Sequence, residues 1–334
     1  MKQSLLLSTA LFFAFSLNAQ GVKNPHIIKT FHIASAGGWD YLAVSPANEW
    51  LYVSHGTQVN ILNKTTGDSV GVIPNTTGVH GIAFAASNGK GYTSNGRLNS
   101  VTVFDINSNK VIGQIPTGVN PDAILYESFS KKIITCNGRS KNLSIIDPSV
   151  DKVIDSIDVG GKPETAVSDE SGHLFVNIED KNEIVQIDTK SYKVLNHWSI
   201  APAEGPTGLA YDSKTKRLFA GCEKSLVVVN AENGKIVSKL PIGEGCDGVV
   251  FDPETKTIYT ANGEGNMNMI VEQSDEVFKS IGSVSTKKGA RTIALDPKTH
   301  LLYLPTAEFE PQTAESKGRP KMIPGTFQVL VVGE

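Results

Sequence analysis

The sequence predicts an all-β protein, a seven-bladed β-propeller built from four-stranded antiparallel blades, and three observations predict it. A short apolar triplet recurs seven times, as LAV at 42, IAF at 82, ILY at 124, AVS at 166, LAY at 209, VVF at 249 and IAL at 293. The copies lie 40 to 44 residues apart, the length of one propeller blade. A second apolar segment follows each triplet: LYVS at 51, GYTS at 91, IITC at 133, LFVN at 174, LFAG at 218, IYTA at 258 and LYLP at 302. Helical repeats can share this period, so composition has to decide. Val, Ile, Thr and Tyr fill the segments, and Gly, Asn, Asp and Pro separate them at strand-length intervals.

Residues 1–19 carry Lys2, an apolar core from Leu5 to about Leu17 and then Asn18-Ala19, the pattern of a secretory signal peptide. The apolar run is too short for an ordinary membrane span. An exported, soluble, periplasmic or extracellular protein is therefore expected, with 20–334 forming one domain. Residues 26–33, HIIKTFHI, alternate as a strand ahead of the first repeat. The module over 78–117 then sets the pattern of four strands, the last two joined by a tight turn at Asn107, Ser108 and Asn109. Comparable turns run from Asp147 to Lys152, Asp188 to Lys193 and Asn230 to Lys235, where Asp or Asn at the entry can accept backbone hydrogen bonds. The last repeat ends in FQVLVV without a fourth strand. Pairing of the N-terminal strand with that ending completes the seventh blade and removes the open edges. A Pro-, Glu- and Lys-rich insertion over about 307–325 is a long loop in that blade, and Phe309, Arg319 and Lys321 make it a candidate lid.

Three cysteines, Cys136, Cys222 and Cys246, are an odd number for an oxidising compartment. Cys222 closes the second strand of the fifth repeat and Cys246 opens the sixth, so a disulfide between them and separate buried thiols both remain open. The net charge of −3 and the 19% of charged residues exclude the basic field that nucleic-acid binding requires. A monomer is expected.

LYVSH, GYTSN and IYTAN resemble the signature of the YVTN repeat, and the chain as a whole is similar to the YncE-like secreted seven-bladed propellers. GWDYL, HGIAF, NPDAI, GARTIALDPKT and the ending PGTFQVLVV carry the resemblance further, while NGEGNMNMI in the sixth repeat departs from it. The resemblance implies a fold and an export route. It implies little chemistry.

Function must come from a site. Two residues before each triplet stand Asp40, His80, Asp122, Glu164, Thr207, Asp247 and Arg291. The ends of the second strands add His55, Arg97, Arg139, Glu179 and Cys222, among others. A propeller brings these positions to one face around its channel. They differ between blades whose strands repeat, as one asymmetric ligand would require. Trp39 could serve as an aromatic platform or as packing. A mixed acidic ring suits a small polyhydroxylated or cationic molecule. No cofactor is expected, and a divalent metal on oxygen ligands is the weaker alternative, because the carboxylates come from separate blades. Arg97 and Arg139 could fork onto a carboxylate or phosphate. With no nucleophile motif, the preferred reading is a non-catalytic propeller that binds a small polar ligand or a protein partner at its channel face. The alternative is a hydrolase or lyase acting on a lactone or a uronic-acid-bearing sugar. There His80 or His55 is the general base, and Arg97, Arg139 or Arg291 meets the developing negative charge.

Overall fold

The computed structural model describes residues 25–311 and 321–334, and the predicted signal peptide lies outside them. The described residues form seven four-stranded antiparallel sheets. Blades one to six follow chain order, with innermost strands Trp39–Val44, Val79–Ala85, Pro121–Glu127, Pro163–Ser168, Leu209–Asp212 and Cys246–Asp252. Blade seven takes Ala294–Leu295, Leu302–Thr306 and Gln328–Gly333 from the end of the chain and His26–His32 as its outer strand. The N-terminal strand thus closes the ring, with His26 opposite Gly333 and His32 opposite Gln328.

Second strands are the most deeply buried because each is flanked in its own sheet and covered by two neighbouring blades. Tyr52, Tyr92 and Tyr303 hold equivalent places there and are fully buried. A buried phenol needs a partner, and each finds one in the turn between the third and fourth strands of the next blade. Tyr52 Oη donates to Asn109 Oδ1 at 2.8 Å, Tyr92 Oη to Asp151 Oδ1 at 3.1 Å and Tyr303 Oη to the Lys64 carbonyl at 3.0 Å.

The last of these bonds crosses the seam between blades seven and one. Two more contacts reinforce that seam: Thr292 Oγ1 donates to the Asp40 carbonyl at 2.6 Å, and Lys64 Nζ meets Asp296 Oδ2 at 2.9 Å with both side chains buried. Elsewhere, Asp212, Thr215 and Glu272 meet where blades five and six join. Thr215 Oγ1 lies 2.6 Å from Asp212 Oδ2 and 2.7 Å from Glu272 Oε1.

No disulfide joins Cys222 to Cys246: both are free thiols, as is Cys136, and all three are buried. Cys246 Sγ lies over Gly221, and Cys222 faces the Ala220 carbonyl and Cys246 the Gly248 carbonyl, each within its own blade. The pair is resolved as separate small core residues.

Candidate functional site

The innermost strands do not run straight into the channel mouth. In blades one to four and six the ladder slips once near the start of the strand, between Trp39 and Leu42, Val79 and Ile82, Pro121 and Ile124, Pro163 and Ala166, and Cys246 and Gly248. A bulge leaves residues unpaired and re-aims their side chains. The slipped positions include Asp40, His80, Asp122, Glu164 and Asp247. That irregularity is what turns the five ionisable side chains out of the sheets.

Three of them converge. His80 Nδ1 lies 2.6 Å from Asp40 Oδ2 and 3.6 Å from Asp122 Oδ1. The other oxygen of Asp40 lies 3.6 Å from an Arg291 guanidinium nitrogen, and Arg291 Nε donates to Asp247 Oδ2 at 2.6 Å. Further round the ring, Lys162 Nζ sits 2.5 Å from Glu164 Oε1 and is also paired with Glu179. The side chains of Asp40, His80, Asp122 and Asp247 keep between 14% and 27% of their surface exposed, so the mouth is open but poorly hydrated.

The charge states follow from this crowding. Burial and the neighbouring Asp40 carboxylate push Asp122 up to about 7, against the opposing pull of His80. Burial and Asp122 push Glu164 upward as well, against Lys162, and burial with Asp40 raises Asp247 against Arg291. Burial alone would lower His80, but its hydrogen bond to Asp40 and the charges of Asp122 and Asp40 outweigh that and raise it.

Other candidates fall outside this constellation. His55 is fully buried: Nδ1 faces Ser35 Oγ at 2.7 Å, Nε2 faces the Gly37 carbonyl at 2.8 Å, and the ring stacks on Phe327 with centroids 3.8 Å apart. A carbonyl can only accept, so Nε2 carries the proton and Nδ1 accepts from the serine. Burial lowers its pKa, and His55 is a scaffold residue with no open face for a substrate. Trp39 stacks on Phe327 at 5.4 Å and touches Phe309 at 5.9 Å, which makes it packing between blades seven and one. Arg97 and Arg139 are exposed and form no ion pair among the described residues. Arg97 instead lays its stem against Gly78. Thr207 Oγ1 donates to the Cys246 carbonyl at 2.6 Å and stitches blade five to blade six. In the insertion, Phe309 pairs with Met322 and Lys321 Nζ meets Glu310 Oε1 at 2.8 Å, so its two ends form a stem, while Arg319 lies outside the described residues.

Two residues at the mouth were not singled out from the sequence. Lys162 bridges Glu164 and Glu179. Tyr41 springs from blade one yet packs against the apolar cluster of blades three and four that contains Ala123 and Ala166, so its ring reaches across the channel. Its phenol lies among Asp122, Asp40, Asp247 and Glu164, and burial together with those charges raises its pKa well above the ordinary tyrosine value. A signal for Tyr41 was present. The residue just before each triplet is small in six repeats (Gly81, Ala123, Thr165, Gly208, Gly248 and Thr292) and large only in the first. The opposite end of the channel opens into a cavity of about 600 Å³ lined by Leu125, Tyr126, Val167, Tyr211, Val250 and Phe251, among others. It contains none of the charged ring residues.

The fold is shared with a chain of Kuenenia stuttgartiensis hydrazine synthase, with a TM-score of 0.72 and 17% sequence identity over 82% of this chain and 94% of that one. At that identity the likeness shows the propeller fold alone. No protein-family model matches the sequence, and no curated protein matches it.

Proposed function

We propose that this chain is an exported propeller of the YVTN-repeat kind that binds a small polyhydroxylated or cationic organic molecule at its acidic mouth, without transforming it. The observation that carries the reading is the convergence of Asp40, Asp122, Glu164 and Asp247 on one opening, where these acids outnumber the permanent cations Arg291 and Lys162. Carboxylates in a poorly hydrated mouth gain most from a ligand that brings hydrogen-bond donors or positive charge. Blade-to-blade differences at fixed register would orient such a ligand in one way. The test is a thermal-shift panel of amino sugars, polyamines, neutral sugars, lactones and organic acids. A compound specific for the folded state raises the melting temperature by mass action. An amino sugar or polyamine is expected to do so in the parent protein and much less in Asp247→Asn. A panel in which only acids bind, or a shift indifferent to Asp247→Asn, sinks the reading.

A second reading is favoured by one observation: His80 is partly exposed, is held by Asp40 at 2.6 Å and shares its mouth with Arg291. Those are the parts of a general base with an orienting carboxylate. On this reading the protein is a hydrolase or lyase acting on a lactone or a uronic-acid-bearing sugar. Turnover of one panel compound, abolished in a folded His80→Gln protein, would establish it. Turnover that survives the substitution removes it.

A further inference from the structure

Asp122 is 15% exposed at its side chain, and its carboxylate accepts no hydrogen bond among the described residues. This half-buried carboxylate is therefore free to take a group that arrives at the mouth. His80 Nδ1 faces two carboxylate oxygens at once, Asp40 Oδ2 at 2.6 Å and Asp122 Oδ1 at 3.6 Å. Together the three residues present one ligand atom each, all within 4.8 Å of one another. At metal–ligand distances of about 2.1 Å, nitrogen and oxygen donors stand about 3 Å apart around an octahedral ion and about 3.4 Å apart around a tetrahedral one. The two measured separations bracket both values.

The surroundings hold the triad in place. Arg291 occupies only the Oδ1 side of Asp40 and leaves Oδ2 for the triad. The Nε2–Cδ2 edge of His80 comes against Gly96, where an added Cβ would lie 2.7 Å from Nε2, so only a bare backbone leaves room for the imidazole there. Bulges in three consecutive blades supply the three side chains. Within the mouth, the acids outnumber the two permanent cations.

We infer that Asp40 Oδ2, His80 Nδ1 and an Asp122 oxygen form a binding site for a divalent transition-metal ion, of the Zn2+ or Mn2+ class, at the channel mouth. One imidazole with two carboxylates favours such ions over Ca2+ or Mg2+, which prefer all-oxygen sites. The ion takes the place of the proton between His80 and Asp40, and that proton is released or carried on Nε2. Three protein ligands leave coordination positions facing the opening, where an oxygen of a bound organic molecule can complete the shell. The inference rests on the proposed mouth as a ligand site and specifies what anchors the ligand there.

The test uses the full mature chain, freed of metal with a chelator and then dialysed. Zn2+, Mn2+, Ca2+ and Mg2+ are titrated singly by calorimetry, and bound Mn2+ is followed by electron paramagnetic resonance. One Zn2+ or Mn2+ per chain is expected, with weaker Ca2+ and Mg2+ binding. His80→Gln and Asp122→Asn should each weaken binding at least ~10-fold, since even groups that merely support ligands matter at that level. His300→Gln, which alters another imidazole flanked by Asp252 and Glu254, should leave binding unchanged. The proposal is overturned if no saturable site is found, or if the folded triad variants bind as the parent does. Retention of amino sugar binding by metal-free protein that takes up no ion would overturn the metal site and leave the ligand-binding function standing.

Discussion

Glu272 shows how one side chain makes this fold sensitive to acidity. Its residue is 2% exposed, and one carboxyl oxygen has no hydrogen-bond partner in its buried setting. Burial, with Asp212 beside it, raises its pKa to about 6 against the opposing Thr215 hydroxyl. Unfolded, the group returns to the ordinary glutamate range, so between about 4.3 and 6 the folded chain holds a proton that the unfolded chain releases. Stability from this group is therefore full at low pH and falls as pH rises through that window. Glu272→Gln removes the loss: parent and variant should melt alike near pH 4. Above pH 7 the variant should be more stable by on the order of 2 kcal/mol in chemical denaturation. Equal pH profiles would show that the carboxyl ionises freely where it lies. Single residues were legible in the sequence only where repeats made a comparison possible. Asp40, His80, Asp122 and Asp247 stood out by varying at a fixed register. Glu272 and Lys162 sit at positions that the alignment of triplets does not sample, and His55 shares the strand-end pattern of channel residues while packing inward on Phe327.

At the scale of elements, the weakest joint of a closed ring is the one where its first and last blades meet. Here Lys64 and Asp296 meet across it, their side chains 3% and 1% exposed. Removing one partner strands the other charge in a dry interface. Lys64→Met should therefore cost about 3–5 kcal/mol in urea unfolding. Lys64→Met combined with Asp296→Asn should recover part of that loss, since asparagine keeps an acceptor for the Lys298 amide and carries no charge. A double variant no more stable than the single one would place the seam's strength elsewhere, in the Tyr303 and Thr292 bonds. The seven sheets and the borrowed outer strand were legible because strand residues and turn residues alternate on a fixed period. The bulges were not. A ladder slip depends on which backbone groups pair, and the innermost strands carry no residue pattern that announces it.

For the whole molecule, closure of the ring was legible because the last repeat lacks a fourth strand and the alternating segment over 26–33 stands ahead of the first repeat. The state of the thiols was not, because spacing along a chain does not say which way two side chains point. Burial pushes Cys222 up to about 12 and raises Cys246 and Cys136 too, so none offers a thiolate at neutral pH. A thiol reagent should leave the native protein unlabelled and modify three groups per chain after denaturation without reductant. One group after denaturation would mean that two are bonded.

Residues 26 and 333 sit opposite each other on adjacent strands, about 4.8 Å apart in the sheet. Geometrically, then, the chain is a loop that happens to have been cut in blade seven. A few glycines linking 25 to 334, with a new opening between Ser149 and Val150 in an exposed turn, should give a circular permutant with the same far-ultraviolet spectrum. Its one outer strand held only by hydrogen bonds would then belong to blade three. A permutant that fails to fold would mean that the order of synthesis, and not only the closed ring, is needed to reach this structure.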